Sequence, residues 1–387
     1  MKQPYLSVKD FGPIQDAGVQ FGDLTFLVGP QASGKSLLLQ SLKLAIDGGP
    51  VSTSLKRYGF DWGGDSTEFL TAFFGEGIGS SWKPDFTQVH WNGRMVDPRK
   101  IIGPGKRRDE SLFYVPAQRV LALSTDWPRD FMSYGITDPF VLRSYSENIR
   151  MLMEAGLGRG GAAVFPQPGR LKQIERELIS ERILAGGKLV ITRTAGKRRI
   201  MLQFGNRLLP PVVWSAGQRE FVPLLLGLYY LLPSAKIGKR KTTEWVVIEE
   251  PEMGLHPAAI SAIMLLVFEL MARGYRVVIS THSDFVVNLG WAIKTLQDNG
   301  AGGKQIVTGL GYSWKASLAP IAEMIATAEI KSFYFDPRED GTHTVDISAL
   351  DPGSNDERVA GWGGLTHYAD VVIQNVADVV AQTGDLP

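Results

Sequence analysis

The sequence predicts an α/β fold: a largely parallel sheet flanked by helices, with an antiparallel β lobe and a helical insertion lobe. Three stretches predict it. Leu24 to Val28 is apolar, reads as a buried strand, and runs into Gly29-Pro30-Gln31-Ala32-Ser33-Gly34-Lys35-Ser36. Trp245-Val-Val-Ile ends in Glu249-Glu250, and Arg276-Val-Val-Ile-Ser-Thr ends in His282-Ser283. Short apolar runs that finish on polar residues are the pattern of parallel strands covered on both faces.

The first stretch carries chemistry. Gly-x-x-x-x-Gly-Lys-Ser between a strand and a helix is a phosphate-cradling loop. Leu37 to Ile46 has the helical spacing the motif needs after it. Glycines let backbone N–H groups close around phosphate oxygens, and the helix points its positive end at the same anion. Lys35 is expected to reach the β- and γ-phosphates of ATP, and Ser36 to ligate Mg²⁺.

Composition narrows the setting. The chain has 387 residues, a net charge of +1 and no cysteine. Disulfides and cysteine-based zinc sites are excluded, and the cysteine count suits a reducing cytoplasm. No global basic field announces nucleic acid. Met1 to Asp10 lacks a signal-peptide core. Phe221 to Leu232 is the most apolar run; it is too short to span a bilayer, contains Pro223, and reads as a buried helix, so no membrane is expected.

Taken in order, Tyr5 to Phe11, Gly18 to Gln20 and Leu24 to Val28 read as strands of a small sheet before the loop. The run LSVKDFGPIQDAGVQFGDLTFLVGPQASGKS resembles the start of SMC, RecF and OLD-family ATPases, whose heads are ABC-type. It departs at Gln31, where those relatives usually carry Asn; Gln keeps a side-chain amide. From Gly48 to Gly105 the pattern is broken. Ser66 to Phe74 reads as a short helix, and Gln88 to Trp91 with Met95-Val96 as a hairpin around Asn92-Gly93. The aromatics of this region read as packing. Leu112 to Val115 is a strand with Gln118 just beyond. The resemblance places a Q-loop glutamine there, touching Mg²⁺ and the attacking water. Arg119 beside it can reach a phosphate or sit in a salt bridge, and the sequence leaves both open.

Phe140 to Glu154 and Arg170 to Leu184 have helical spacing, separated by a Gly/Pro-rich link, 156–169. Lys188 to Thr194 and Arg198 to Phe204 alternate as a hairpin. The long coiled-coil arms of SMC-type ATPases are missing here. Ser215-Ala-Gly217-Gln218 resembles the ABC signature, Ser-Gly-Gly-Gln. In that family it offers N–H groups and a hydroxyl to the γ-phosphate held by another subunit. Glu249 then falls where a Walker B carboxylate holds Mg²⁺, in place of the commoner Asp. Glu250 falls on the base that polarises the attacking water. Glu250-Pro-Glu-Met-Gly-Leu-His-Pro257 resembles the EPExxLHP run of OLD-type ATPases and separates the chain from transporter heads. His256 is expected to shape that turn. His282 matches the switch histidine.

Ser332 to Phe335 and Thr344 to Ile347 read as late strands and Leu365 to Val380 as a closing helix, with no Asp-x-Asp pair for a Toprim nuclease. The expected organisation is one ATPase domain over 1–387. An insertion region spans 48–212, the signature, Walker B and switch half spans 213–289, and a C-terminal extension of unassigned role spans 290–387. One phosphate loop and one signature per chain imply a homodimer or higher homo-oligomer. The resemblance to arm-less heads of anti-phage systems such as Septu and PARIS implies a nuclease or toxin effector in trans. A RecF-like DNA or RNA role is the alternative, carried by Lys106-Arg107-Arg108, Lys197-Arg198-Arg199 and Lys239-Arg240-Lys241.

Overall fold

A computed structural model describes residues 3–102, 109–135, 137–158, 163–233 and 239–384, with the side chains of 367–370 and 381–384 left out. Lys106-Arg107-Arg108 and part of the 156–169 link lie outside the described residues. Thirteen strands are described. They are β1 (Tyr5–Phe11), β2 (Ile14–Gln20), β3 (Leu24–Val28), β4 (Gln88–Trp91), β5 (Arg94–Met95), β6 (Leu112–Val115), β7 (Lys188–Thr194), β8 (Lys197–Phe204), β9 (Arg207–Leu209), β10 (Trp245–Glu249), β11 (Arg276–Thr281), β12 (Ile330–Arg338) and β13 (Gly341–Asp346). Ten form one sheet in the order β5-β4-β1-β2-β13-β12-β3-β11-β10-β6, and β7-β8-β9 form a separate antiparallel sheet. The segment β12-β3-β11-β10-β6 is parallel throughout. The wing β5-β4-β1-β2 is antiparallel and joins it through β13. The α/β fold predicted from the sequence is the fold observed.

The parallel strands are apolar on both faces because both faces are covered. Phe26, Val246, Ile248, Val277 and Ile279 point into one core, while Leu27, Trp245, Val247 and Val278 point into the other. Helices α1 (Lys35–Arg57), α2 (Ser66–Phe74) and α3 (Pro98–Ile101) lie on the second side. The first core is filled by α4 (Phe140–Glu154), α5 (Gln173–Arg182), α6 (Ala216–Leu231), α7 (Pro257–Ala272), α8 (Asp284–Asp298), α9 (Gly303–Gly309) and α10 (Ala319–Ile325). Two helices follow β13, the short α11 (Glu357–Ala360) and the 18-residue α12 (His367–Gly384). Among the described residues no helix is long and apolar enough to cross a membrane.

The first helix differs from the expected break at Gly48. It continues through Gly48, Gly49 and Pro50 to Arg57, with a kink at Asp47. The kink is held from outside the helix. Asp47 accepts 2.8 Å hydrogen bonds from the backbone N–H groups of Ser111 and Leu112 and from Lys43 Nζ. Lys43 also reaches Glu110 and the Leu112 carbonyl, both at 2.6 Å. Buried charges persist only when paired in this way. The network fastens the helix behind the phosphate loop to the start of β6.

Two other readings shift. The second hairpin strand is Arg94–Met95 rather than Met95-Val96, and the hairpin is the edge of the main sheet. The late strands are central: β12 lies beside β3, with Tyr334 opposite Val28.

Candidate nucleotide site

Lys35, Ser36, Glu249, Glu250 and His282 stand at the C-terminal ends of β3, β10 and β11, where such sheets present ligand sites, while Gln118 follows β6 and Ser215-Ala-Gly217-Gln218 opens α6. Pro30, Gln31, Ala32 and Ser36 line the exposed rim of the loop, and Ser33 is buried beneath it. Gly34 caps α1 in a left-handed conformation without a side-chain partner, so the first-turn N–H groups face the loop uncapped. Gly29 stands at φ +146°, where an added Cβ would lie 2.8 Å from the Phe335 carbonyl oxygen. The phosphate loop is thus pressed against β12, a strand of the C-terminal extension.

Lys35 is buried. Its ammonium donates to the carbonyls of Gly29 (2.8 Å) and Pro30 (2.7 Å). Burial lowers its pKa to about 8, against the opposing pull of Glu250, Glu249 and Glu252. An incoming phosphate favours the ammonium, so binding above that pH must take up a proton. ATP affinity is therefore expected to be flat below about pH 8 and to fall by up to about tenfold per pH unit above it. Titration with a fluorescent ATP analogue from pH 7 to 9.5 measures this, and Lys35→Arg is expected to flatten the profile.

Glu249 ends β10 and is buried. Burial raises its pKa, with the neighbouring Ser36 hydroxyl, the Ala117 N–H and the Tyr114 hydroxyl opposing. The Ala117 bond is 3.1 Å and engages Oε2. Oε1 is buried with no hydrogen-bond partner. A buried, unpartnered carboxylate oxygen whose group touches a serine hydroxyl fits a divalent cation, and Ser36 and Glu249 are the residues that would hold Mg²⁺. Gln118 sits just past this point, exposed, at the start of a 3₁₀ turn.

Glu250 has a left-handed backbone, φ +44°, unusual for a side chain of this size. Its Oε1 lies 3.4 Å from His282 Nε2. The His282 contact lowers the Glu250 pKa, with burial opposing, so Glu250 is an ionised base at neutral pH. Two positioning groups complete the site. Glu252 Oε1 accepts from Thr281 Oγ1 and from the His282 N–H, both at 2.8 Å, and so holds the histidine's loop. The Glu252 carboxylate stands in the run quoted for its resemblance, but the sequence gave no sign of its partner 30 residues on. Arg119 is fully buried and bonds the backbone of Glu249 and Glu250. The salt-bridge reading is the one realised, with Glu220 at 3.4 Å.

Ser215 caps α6. Its Oγ accepts from the Gln218 N–H at 3.2 Å, and the Gln218 side chain accepts from the Ser215 N–H at 3.1 Å. Gly217 is wedged against the loop after β10, since a Cβ there would lie 2.8 Å from the Gly254 carbonyl oxygen. Ser215 itself is exposed and faces away from the chain's own core. His256 caps α7 through Nδ1, which accepts from the Ala258 N–H at 3.2 Å; it shapes the turn as expected.

The basic clusters that fall among described residues are engaged within the chain. Arg199 pairs with Asp126, and Arg198 stacks on Trp127. Arg240 stacks on Tyr230 at 3.5 Å, and Lys239 bonds the Gly274 carbonyl.

Comparison with known proteins agrees with this geometry over part of the chain. Residues 166–288 match the family described as "AAA domain, putative AbiEii toxin, Type IV TA system". The match takes in Ser215, Glu249, Glu250 and His282 and stops short of the phosphate loop. No curated protein matches. Among solved structures, an SMC head bound to the C-winged helix domain of ScpA is 13% identical, over 88% of this chain and 96% of that one, with a TM-score of 0.45. The SMC head domain from Thermotoga maritima is 13% identical over 89% and 99%, at 0.36. A Pyrococcus furiosus SMC head with an extended coiled coil, bound to the C-terminal domain of ScpA, is 10% identical over 89% and 96%, at 0.40. The sheet order and the phosphate loop of this chain are themselves those of a P-loop NTPase.

Proposed function

We propose that this protein is an ABC-type ATPase that binds ATP with Mg²⁺ and works as a nucleotide-driven homodimer in the cytoplasm. One observation carries the reading: Lys35, Ser36, Glu249, Glu250 and His282 stand at one end of the parallel strands, with Glu249 beside Ser36 and Glu250 Oε1 3.4 Å from His282 Nε2. Water attacks the γ-phosphorus in line with the departing ADP oxygen. Glu250 orients that water and accepts its proton. His282 steadies Glu250, and the Lys35 ammonium offsets the negative charge that develops on the phosphate oxygens. Mg²⁺, which Ser36 and Glu249 would hold, would supply further charge neutralisation on the phosphates. The exposed Ser215-Ala-Gly217-Gln218 turn serves the nucleotide of a second copy, and Gln118 would touch the Mg²⁺ and the attacking water of its own. The insertion region 48–212 and the extension 290–387 act as parts of this one ATPase unit.

The biological role we propose is regulatory: a sensor ATPase whose closed dimer controls a nuclease or toxin in trans, in bacterial defence. Its support is the resemblance to arm-less defence ATPases and a matched family whose description names a toxin–antitoxin system. The RecF-like reading is not favoured, because four of the six residues of the described basic clusters make contacts within the chain. The test is the mass of Glu250→Gln with ATP and Mg²⁺, by light scattering. A shift from monomer to dimer is expected, and a persistent monomer overturns the dimer mechanism.

A further inference from the structure

Arg119 lies one residue beyond Gln118 and is completely buried. Its three nitrogens are all used. One terminal nitrogen donates to the Glu249 carbonyl at 2.8 Å, and the other donates to the Glu250 carbonyl at 3.0 Å. Nε donates to the Glu220 carbonyl at 3.2 Å, and the Glu220 carboxylate lies 3.4 Å from the second terminal nitrogen. The Glu249 and Glu250 carbonyls belong to the two peptide planes on either side of the Glu250 Cα. Fixing both planes fixes φ and ψ there, and therefore the direction of the Cα–Cβ bond. That fixation is needed, because Glu250 stands at φ +44°. A planar fork suits the task; an ammonium, a point charge, cannot hold two planes at once. The third arm grips α6 in the first two turns after Ser215.

We infer that Arg119 is a positioning residue that aims the Glu250 carboxylate according to where the signature helix α6 lies. This rests on the ATPase reading and goes beyond it. A nucleotide of a second subunit touches the N-terminus of α6. Arg119 carries any resulting shift of α6 directly to the two peptides that orient the base. The base at one site is then set by the engagement of the other site's nucleotide.

A double-mutant cycle tests the inference on the full chain. Arg119→Lys alone is expected to lower ATP turnover by about 10²-fold, the usual cost of a misplaced catalytic group. Its ATP affinity is expected to stay within about twofold of wild type, because no phosphate contact is touched. In a Glu250→Gln background, single-turnover hydrolysis is expected to change less than about twofold on adding Arg119→Lys, since a residue acting through Glu250 has nothing left to aim. An equal loss in both backgrounds, or no loss in either, overturns the inference. Should Arg119→Lys fail to fold, Glu220→Gln takes its place. It keeps the backbone acceptor and loses only the ion pair, and a several-fold loss that vanishes in the Glu250→Gln background is expected. A wild-type protein without ATP turnover removes the underlying reading; an active wild type with an indifferent Arg119→Lys removes the inference alone.

Discussion

Glu250→Gln is expected to release phosphate from ATP at about 10²- to 10⁴-fold below the wild-type rate, the range for loss of a general base. The amide keeps the size of the carboxylate and its place beside His282, so nucleotide binding should survive. Lys35, Ser36 and Glu249 do not depend on Glu250 for their anchors. Lys35 hangs on the Gly29 and Pro30 carbonyls, and Glu249 on the Ala117 N–H. Equilibrium binding and phosphate release measured on one preparation separate the two effects. The wild-type rate also carries a signature of the base. The Glu250 carboxyl is held below its ordinary range by His282, so it stays ionised until the pH falls below that of an ordinary glutamate. Turnover should hence not fall through Glu250 titration until the pH drops below that point. A Glu250→Gln enzyme as fast as wild type would move the base to another group.

Gly29→Val is expected to damage stability and binding together. At φ +146° a β-branched residue is strained before any neighbour is considered. Its Cβ would also meet the Phe335 carbonyl oxygen at 2.8 Å and the Phe335 Cβ at 2.9 Å. The strand carrying Phe335 cannot retreat, because it is paired to β3 from Ile330 to Tyr334. Strain and overpacking together cost about 3 kcal/mol or more. If the loop yields to relieve them, ATP binding weakens by over about 100-fold. Denaturant midpoint and ATP affinity are the measurements. Wild-type values for both would mean that the loop and β12 are not in firm contact.

The difference between what the sequence disclosed and what it hid follows sequence distance. The phosphate loop, the signature turn and the acidic strand end are local. Each is a strand or helix terminus with its chemistry in a few adjacent residues, so their residue types and order are readable. The two helices with 3.6-residue spacing, α4 and α5, are readable for the same reason. Non-local partners were not. Nothing near Gly48-Gly49-Pro50 says that a helix continues, because the group that stabilises its kink is Asp47 bonded to residues more than 60 positions away. Arg119 reads as an ordinary loop cation until Glu220 and the backbone of Glu249 and Glu250 are placed around it. The strand Ile330–Arg338 was recognisable as a strand, but its place beside β3 depends on a pairing across some 300 residues that no local pattern encodes.

That last pairing has a consequence for how the protein is made. The nucleotide loop leaves the ribosome about 300 residues before the strand that lies against its first glycine. Val28 and its neighbour Tyr334 are separated by about 300 residues, so at 5–20 residues per second the wait is roughly 15–60 s. Until then the antiparallel wing has no β13 to dock on, and the edge of β3 is open. A chain cut short before Ile330 would carry every residue named in the site and still lack the wall behind its phosphate loop. The order of the strands thus ties nucleotide binding to the arrival of β12, and a product stalled or clipped before that strand would be silent rather than half-active.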